Sequence, residues 1–379
     1  MSLKTRFILL FIFSFLSGFS QNISISENTR FSVLTVDVSN EIHTLYGHTA
    51  LRVKDSISNF DVVFNYGMFD FKTPNFALKF VKGDLQYFAA VYPYQDFEYS
   101  YKLENRSFYE QELHLTLQQK KLLFDNLNKS VFTEDRFYTY KFIDRNCTTK
   151  VIDVINTVLK NKMITNNLHK NDSYRTVLYE YQKDHFYLNL GINIIFGHRP
   201  DEEASKLFLP LDFMSVLKTA QNDKTSLSNE PVVVFKAIPV KKEFSFLDSI
   251  YSLILVLLAF VLVNKKWLMM TYFSIFGLIG LFFSLVGLYS LHREVLWNYN
   301  ILLFNPLFLV LVYALIKGKI DWVKKVSLLC LLLLLVYVLY MLNKAHFVMV
   351  SPIIVATAIQ LIKLYFQKSL LSSIKHYSA

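Results

Sequence analysis

Leu268–Leu291, read as LMMTYFSIFGLIGLFFSLVGLYSL, runs 24 residues without a charged side chain. Coiled as an α-helix, such a run is about 36 Å long, enough to cross a hydrocarbon core of about 30 Å. It is flanked by Lys265, Lys266 and Trp267 before it and by His292, Arg293 and Glu294 after it. This stretch makes part of the chain a membrane protein, and the rest of the sequence is read outward from it.

Four more apolar stretches surround it: Phe246–Val263, Ile301–Ile316, Val326–Leu342 and Phe347–Leu364. Together they predict an all-α transmembrane bundle of five helices over residues 244–379. If the first helix enters from outside, three segments face the cytoplasm: Asn264–Trp267, Lys317–Lys325 and the tail from Lys363 onward. These hold nine lysines, whereas the outer loops hold only Arg293 and Lys344. Positive charge concentrates on the cytoplasmic side of membrane proteins, so this sidedness is self-consistent.

The chain begins with Lys4 and Arg6, an apolar run Phe7–Leu16 and the small residues Ser17, Gly18 and Ser20. That order reads as an export signal over residues 1–20, cleaved after Ser20, with an uncleaved anchor as the alternative. No Cys lies near the cleavage site, so the protein is not expected to be a lipoprotein itself. A net charge of +10 is of the kind that nucleic-acid-binding proteins carry. The lysines instead are scattered or flank the apolar segments, so no nucleic-acid partner is expected.

Residues 21–243 then form an exported domain. Alternating β-branched and aromatic residues predict strands at Phe31–Val38, Ala50–Val53, Val62–Tyr66, Leu85–Tyr92, Phe108–Leu115 and Val232–Ala237. Helical periodicity predicts helices at Asn75–Val81, Leu117–Ser130, Thr148–Leu159 and Tyr174–Gln182. Strands mostly first and helices afterward indicate an α+β fold.

The sequence holds two cysteines. Cys330 falls within an apolar helix and behaves as a small hydrophobe. Cys147 stands without a disulfide partner in an exported domain, inside Asp144-Arg145-Asn146-Cys147-Thr148-Thr149-Lys150. The apolar periodicity that follows places it at a helix N-terminus, where the dipole and Arg145 or Lys150 would favour a thiolate. A buried, inert Cys capping a core helix is the bland alternative. A thiolate nucleophile needs a base. His48, in Tyr46-Gly47-His48-Thr49-Ala50-Leu51-Arg52-Val53, is the first candidate, with Gly47 supplying a tight turn before a strand. His43, His114, His169, His185 and His198 compete, His198 most seriously. There is no metal-ligand spacing, phosphate loop or cofactor signature, so neither metal nor cofactor is expected.

The pattern Gly47-His48-Thr49-Ala50-Leu51-Arg52-Val53, then Phe64-Asn65-Tyr66-Gly67, then Asn146-Cys147-Thr148-Thr149 resembles exported bacterial domains related to the papain-like NlpC/P60 fold by circular permutation. In those domains the His strand precedes the Cys helix. With the helices that follow, the whole chain resembles the Bacteroides-type lipoprotein N-acyltransferases. The resemblance implies a periplasmic papain-like domain on an inner-membrane bundle, with the C-terminus cytoplasmic. It implies that a phospholipid donates an acyl chain to Cys147 as a thioester, and that the N-terminal amine of a diacylglyceryl lipoprotein accepts it. His48 would be the base and Asn65 the group orienting it, with Tyr46 and Asp70 as alternatives.

Two further segments stand out. The outer loop Leu291–Asn305 gathers His292, Arg293, Asn298 and Asn300, which read either as an interfacial anchor or as groups that hold a lipid headgroup. In Gly197-His198-Arg199-Pro200-Asp201, Arg199 and Asp201 read as a structural ion pair. Two other functions fit the same residues: a cysteine peptidase or amidase acting on cell-wall peptides, and a non-catalytic membrane scaffold.

Overall fold

The computed structural model describes residues 25–39, 44–159, 164–240, 243–263 and 265–366. The export signal and His43 lie outside the described residues. The N-terminal part is built on β1 (Arg30–Val36), β2 (His48–Asp55), β3 (Phe60–Met68), β4 (Gln86–Pro93), β5 (Phe108–Glu112), β6 (Phe137–Thr139) and β9 (Val232–Phe235). These seven strands form one antiparallel sheet in the order β6-β4-β3-β2-β1-β5-β9. A small separate hairpin, β7 (Gln221–Asn222) and β8 (Thr225–Ser226), precedes β9. Helices α1 (Phe76–Lys82), α2 (Tyr94–Leu103), α3 (Leu117–Phe132), α4 (Cys147–Asn156), α5 (Tyr174–Gln182), α6 (Phe186–Ile195) and α7 (Pro210–Leu217) complete this part.

Strand alternation sorts the sheet into two buried faces. Phe31, Val33, Leu51, Val53, Phe64 and Tyr66 point to the larger core, shared with Leu123 and Leu127 of α3, Val151 and Ile155 of α4 and Phe213 of α7. Leu34, Val36, Ala50 and Val63 point the other way, onto Tyr94 and Phe97 of α2. Both faces of the central strands are covered, which is why β1 is buried from Phe31 to Val36. The expected strands and helices are present, with ends moved by a few residues. Helices α2, α6 and α7 were not expected.

The C-terminal part is all helical: α8 (Ile250–Leu262), α9 (Lys266–Tyr289), α10 (Leu307–Ile316), α11 (Ile320–Met341) and α12 (Phe347–Phe366). Each of the five apolar stretches contributes a helix, but they are not five equal spans. Among the described residues, α9, α11 and α12 are long and apolar enough to cross a membrane alone. Arg293–Leu302 and α10 form a fourth candidate, bent by 42°. The bend falls at Asn305-Pro306, where proline cannot donate a backbone hydrogen bond. Helix α8 has 13 residues, about 20 Å, so it starts later than the apolar run suggests. The residues before it are engaged elsewhere: Asp248 Oδ1 accepts the Tyr187 N–H of α6 at 2.9 Å.

Helix α6 joins the two parts. Its Leu190 is buried in the core of the helical bundle, with Phe186, Ile194 and Ile195 packed beside it. Asn193 Nδ2 donates to Asn189 Oδ1, one turn back, at 2.6 Å, and its own Oδ1 accepts from the buried Arg175 guanidinium of α5 at 2.9 Å, so both polar side chains are tied down inside the fold. A close backbone approach fixes the contact further on. Gly197 N–H donates to Glu294 C=O at 2.7 Å, and a Cβ on Gly197 would lie 1.9 Å from the Leu296 carbonyl oxygen. Only glycine fits there.

Candidate active site

Cys147 is the first residue of α4, and its neighbours explain why the helix starts there. Asn146 Oδ1 accepts the Thr149 N–H at 3.0 Å, and Thr149 Oγ1 accepts the Asn146 N–H at 2.8 Å. This reciprocal box satisfies two backbone donors at the helix start. The Asn146 amide group donates to the carbonyls of Phe142 and Phe208 at 2.9 and 2.8 Å. Thr148, fully buried, bonds Thr49 of β2 through their hydroxyls at 3.0 Å and so ties α4 to the sheet. Asn146, Thr148 and Thr149 therefore have structural tasks. The Cys147 thiol, half-buried, is left at a helix N-terminus where the first N–H groups have no acceptor within the helix.

His48 opens β2. The turn before it needs Gly47, whose φ is +77° and whose Cβ, if present, would lie 2.5 Å from the Val36 carbonyl oxygen. His48 and Asn65 lie on the face opposite Thr49. At the margin of the sheet, where β2 begins, the His48 ring comes near enough to the thiol for each to shift the titration of the other. His48 Nε2 stands 2.5 Å from Asn65 Oδ1. Asn65 Nδ2 donates to the Tyr92 hydroxyl, which turns the amide oxygen toward the ring. Nε2–H therefore donates to Asn65, which leaves Nδ1 for the thiol. The Tyr101 ring stacks on His48 with centroids 6.4 Å apart.

The electrostatics favour an ion pair. Burial works to raise the Cys147 thiol, but the His48 charge and hydrogen bond, the Thr49 N–H and the Thr148 hydroxyl hold it below its ordinary value. Burial works to lower His48, yet the Cys147 charge and the hydrogen bonds to Cys147 and Asn65 leave it above its ordinary value. The two shifts belong to one coupled pair, thiolate with imidazolium. Arg145 and Lys150, expected to supply the positive charge, lie instead over the Tyr138 ring, at 5.2 and 5.1 Å. His48 is the nearer cation.

The loop that delivers Cys147 is held by the outer loop of the helical bundle. Lys141 Nζ donates to the Leu291 carbonyl at 2.8 Å, and the Ile143 N–H to the buried Glu294 carboxylate at 3.4 Å. Arg293, with its side chain 59% exposed, sits 3.4 Å from Asp144. Burial works to raise Asp144, but Lys206, Arg199 and Arg293 hold its carboxyl below the usual range.

Of the outer-loop residues expected to contact substrate, three are engaged by the protein. Asn298 Nδ2 donates to the Ile194 and Ile195 carbonyls at 2.9 and 3.0 Å, and its Oδ1 accepts the Asn300 N–H at 2.9 Å. Asn300 Nδ2 reaches the carbonyls of Asn193 and Ile194 at 3.2 and 2.9 Å, while its Oδ1 accepts from the Tyr337 hydroxyl at 2.7 Å. These amides cap the C-terminal turn of α6, whose last carbonyls have no partner in the helix. His292 is bound through Nε2 to the Phe80 carbonyl at 2.8 Å. Only Arg293 keeps an exposed head. The Arg199–Asp201 pair is also corrected. Asp201 pairs with Arg175 at 2.7 Å, both buried, and Arg199 with Asp144 and Glu202. Tertiary partners outcompeted the sequence neighbour.

The rival residues lie elsewhere. His114 bonds Asn229 and the Ser226 carbonyl, and His169 bonds Asp212. His185 precedes α6, and His198 is exposed beside the outer loop, its N–H on the Leu296 carbonyl. Tyr46 OH accepts from Gln182 at 2.6 Å, and exposed Asp70 accepts the Lys72 N–H at 2.8 Å. Among the described residues no group of three or more His, Cys, Asp or Glu side chains is placed to hold a metal ion.

Residues 19–180 match a family model described as the Lnb N-terminal periplasmic domain. No curated protein and no solved structure matches the chain.

Proposed function

We propose that this membrane protein is a cysteine acyltransferase that acylates the N-terminal amine of bacterial lipoproteins, a reading supported by the match of residues 19–180 to the Lnb N-terminal periplasmic domain. The observation that carries the reading is the thiol–imidazole–amide line of Cys147, His48 and Asn65, set on a loop bonded to the outer end of a helical bundle. Both substrates of such a reaction are lipids held in a membrane. A site built against the outer loop needs no soluble groove to meet them.

In this reading the Cys147 thiolate attacks the carbonyl carbon of a phospholipid ester. The backbone N–H groups at the start of α4 face the developing oxyanion. The tetrahedral adduct collapses, the C–O bond breaks, and the lysophospholipid oxygen leaves with the proton held by His48. The α-amine of a diacylglyceryl-cysteine then attacks the thioester carbon. His48 takes a proton from the amine as the thiolate departs, and an amide remains. Asn65 orients the imidazole by accepting from Nε2–H. Arg293 pairs with the donor's phosphate in this reading, a role supported by its exposed guanidinium beside Asp144 of the Cys147 loop. The domain faces the periplasm and the C-terminus the cytoplasm, so reporter fusions after Gln221 and within Lys317–Lys325 should report opposite sides.

The test is mass spectrometry of the full-length protein in detergent with phospholipid. An acyl mass on Cys147, lost again when a diacylglyceryl lipopeptide is added and gains an N-acyl chain, is the expected result. Cleavage of cell-wall peptides with no acyl adduct would assign the chain to the amidases instead. Unchanged lipoprotein N-termini in cells carrying Cys147→Ala would overturn the acyl-transfer reading.

A further inference from the structure

Helix α1 is an anomaly of the N-terminal part, because none of its residues is buried. Phe71, Leu78, Phe80 and Val81 are 74%, 62%, 52% and 44% exposed. Lys72, Lys79 and Lys82 lie among them. A continuous apolar patch with basic residues at its margin is uncommon on a surface that faces only water.

The position of α1 is fixed by the end of a membrane-length helix. The Tyr289 hydroxyl donates to the Leu78 carbonyl at 3.4 Å, and the Ser290 hydroxyl to the Val81 carbonyl at 3.0 Å. The Leu291 N–H donates to the Lys82 carbonyl at 2.6 Å, and His292 Nε2 to the Phe80 carbonyl at 2.8 Å. Four consecutive residues at the outer end of α9 thus hold α1 at that level. The apolar surface continues across the junction, since Leu288, Tyr289 and Leu291 are 86%, 48% and 52% exposed.

We propose that Phe71 and α1 form a second, interfacial membrane attachment that lies in the outer leaflet of the lipid bilayer beside the end of α9. The aromatic and aliphatic side chains enter the boundary between headgroups and acyl chains, and the lysine stems run up to the phosphates. The inference rests on α9 spanning the membrane and does not depend on the acyl-transfer reading. It has a consequence for the site. The segment leaves β3 directly after Gly67 and Met68, and a Cβ built on Gly67 would lie 3.7 Å from Cys147 Cβ. Lipid ordered along α1 is therefore lipid at the threshold of the thiol.

The test is spin-label accessibility on the full chain, reconstituted in phosphatidylglycerol/phosphatidylethanolamine vesicles, in a Cys147→Ala background. Cys330 is 1% exposed and stays unlabelled. Labels go at Phe71→Cys, at Leu78→Cys and, as a control, at Ile57→Cys, which is 74% exposed in the turn at the far end of β2 and β3. Positions 71 and 78 should relax with lipid-soluble oxygen several-fold more than with a water-soluble nickel chelate, and position 57 the reverse. Equal nickel access at all three positions would overturn the proposal. So would protection of 71 and 78 from both reagents, which would show that a second protein copy covers the patch. The readout is depth rather than turnover, so it fails or succeeds independently of the acyl-transfer assay.

Discussion

The site around Cys147 and the outer loop around Asn300 are both clusters of polar side chains at the junction of the two parts, yet they use their polarity in opposite ways. In the outer loop, the Asn298 and Asn300 amides are filled by backbone carbonyls, a backbone N–H and one tyrosine. Around Cys147 the framing residues are satisfied in the same manner, but the thiol keeps only weak partners, the Thr49 N–H and the Thr148 hydroxyl at 4.0 Å, beside the His48 ring that Asn65 orients. A polar residue at a membrane boundary is thus not by itself a ligand. What marks a reactive group is hydrogen-bonding capacity left over after the fold has taken its share.

The comparison breaks first at the thiol. Cys147→Ala and His48→Ala should each lower acyl transfer about 10³-fold or more, and the double variant should be no worse than either single one, because the pair acts as a unit. Additive losses in the lipopeptide assay would mean that the two side chains work separately.

A second test reads pH. The thiol lies below its ordinary value and the imidazole above its own, so the ion pair is lost as pH falls through the depressed thiol value and as it rises through the raised imidazole value. Alkylation of Cys147 should therefore begin well below the usual thiol range of about 8.5. In His48→Ala its inflection should move upward, since the charge that holds the thiolate is gone. An unmoved inflection would leave the helix terminus as the sole cause.

Asn65→Ala should cost roughly 10-fold to 100-fold in turnover, since it orients a ring that remains present. Rescue by Asn65→Gln, or a shift of the pH profile in Asn65→Ala, separates positioning from folding. At the structural pole, Asn300→Ala should leave turnover within a few-fold while lowering stability by about 2–4 kcal/mol for the buried carbonyls left unpaired, seen as earlier thermal unfolding in detergent. The smallest effect is expected at Arg293→Ala: a rise in KM for phospholipid of a few-fold, weakened further by salt, because the guanidinium is exposed and screened.

Much of this was legible in the chain itself. The membrane-length runs and the lysine pattern needed only hydropathy and charge, because a bilayer imposes its length on every helix that crosses it. The strands were legible because alternation survives wherever one face is buried, and Cys147 at a helix start was legible because polar residues lead there into an apolar helical period; the Asn146–Thr149 cap that fixes the start is seen in the structure. Helix α6 left a signal, an apolar run with asparagines one turn apart, but its asparagines are buried, and Asn193 bonds Asn189 and Arg175 in an arrangement that only the tertiary structure supplies.

Sequence by itself determined what depends on near neighbours: the solvent of each segment, the period of each element, the helix start at Cys147. Only the tertiary structure decided which histidine meets the thiol, that Asn65 rather than Tyr46 or Asp70 faces that histidine, that Arg175 rather than Arg199 holds Asp201, and that Asn298 and Asn300 are spent on α6. The reason is physical. A local hydrogen bond is written in spacing, whereas a long-range one is won by whichever group the sheet register and helix packing bring within 3 Å or so of a buried donor, and a buried donor accepts the first partner that satisfies it.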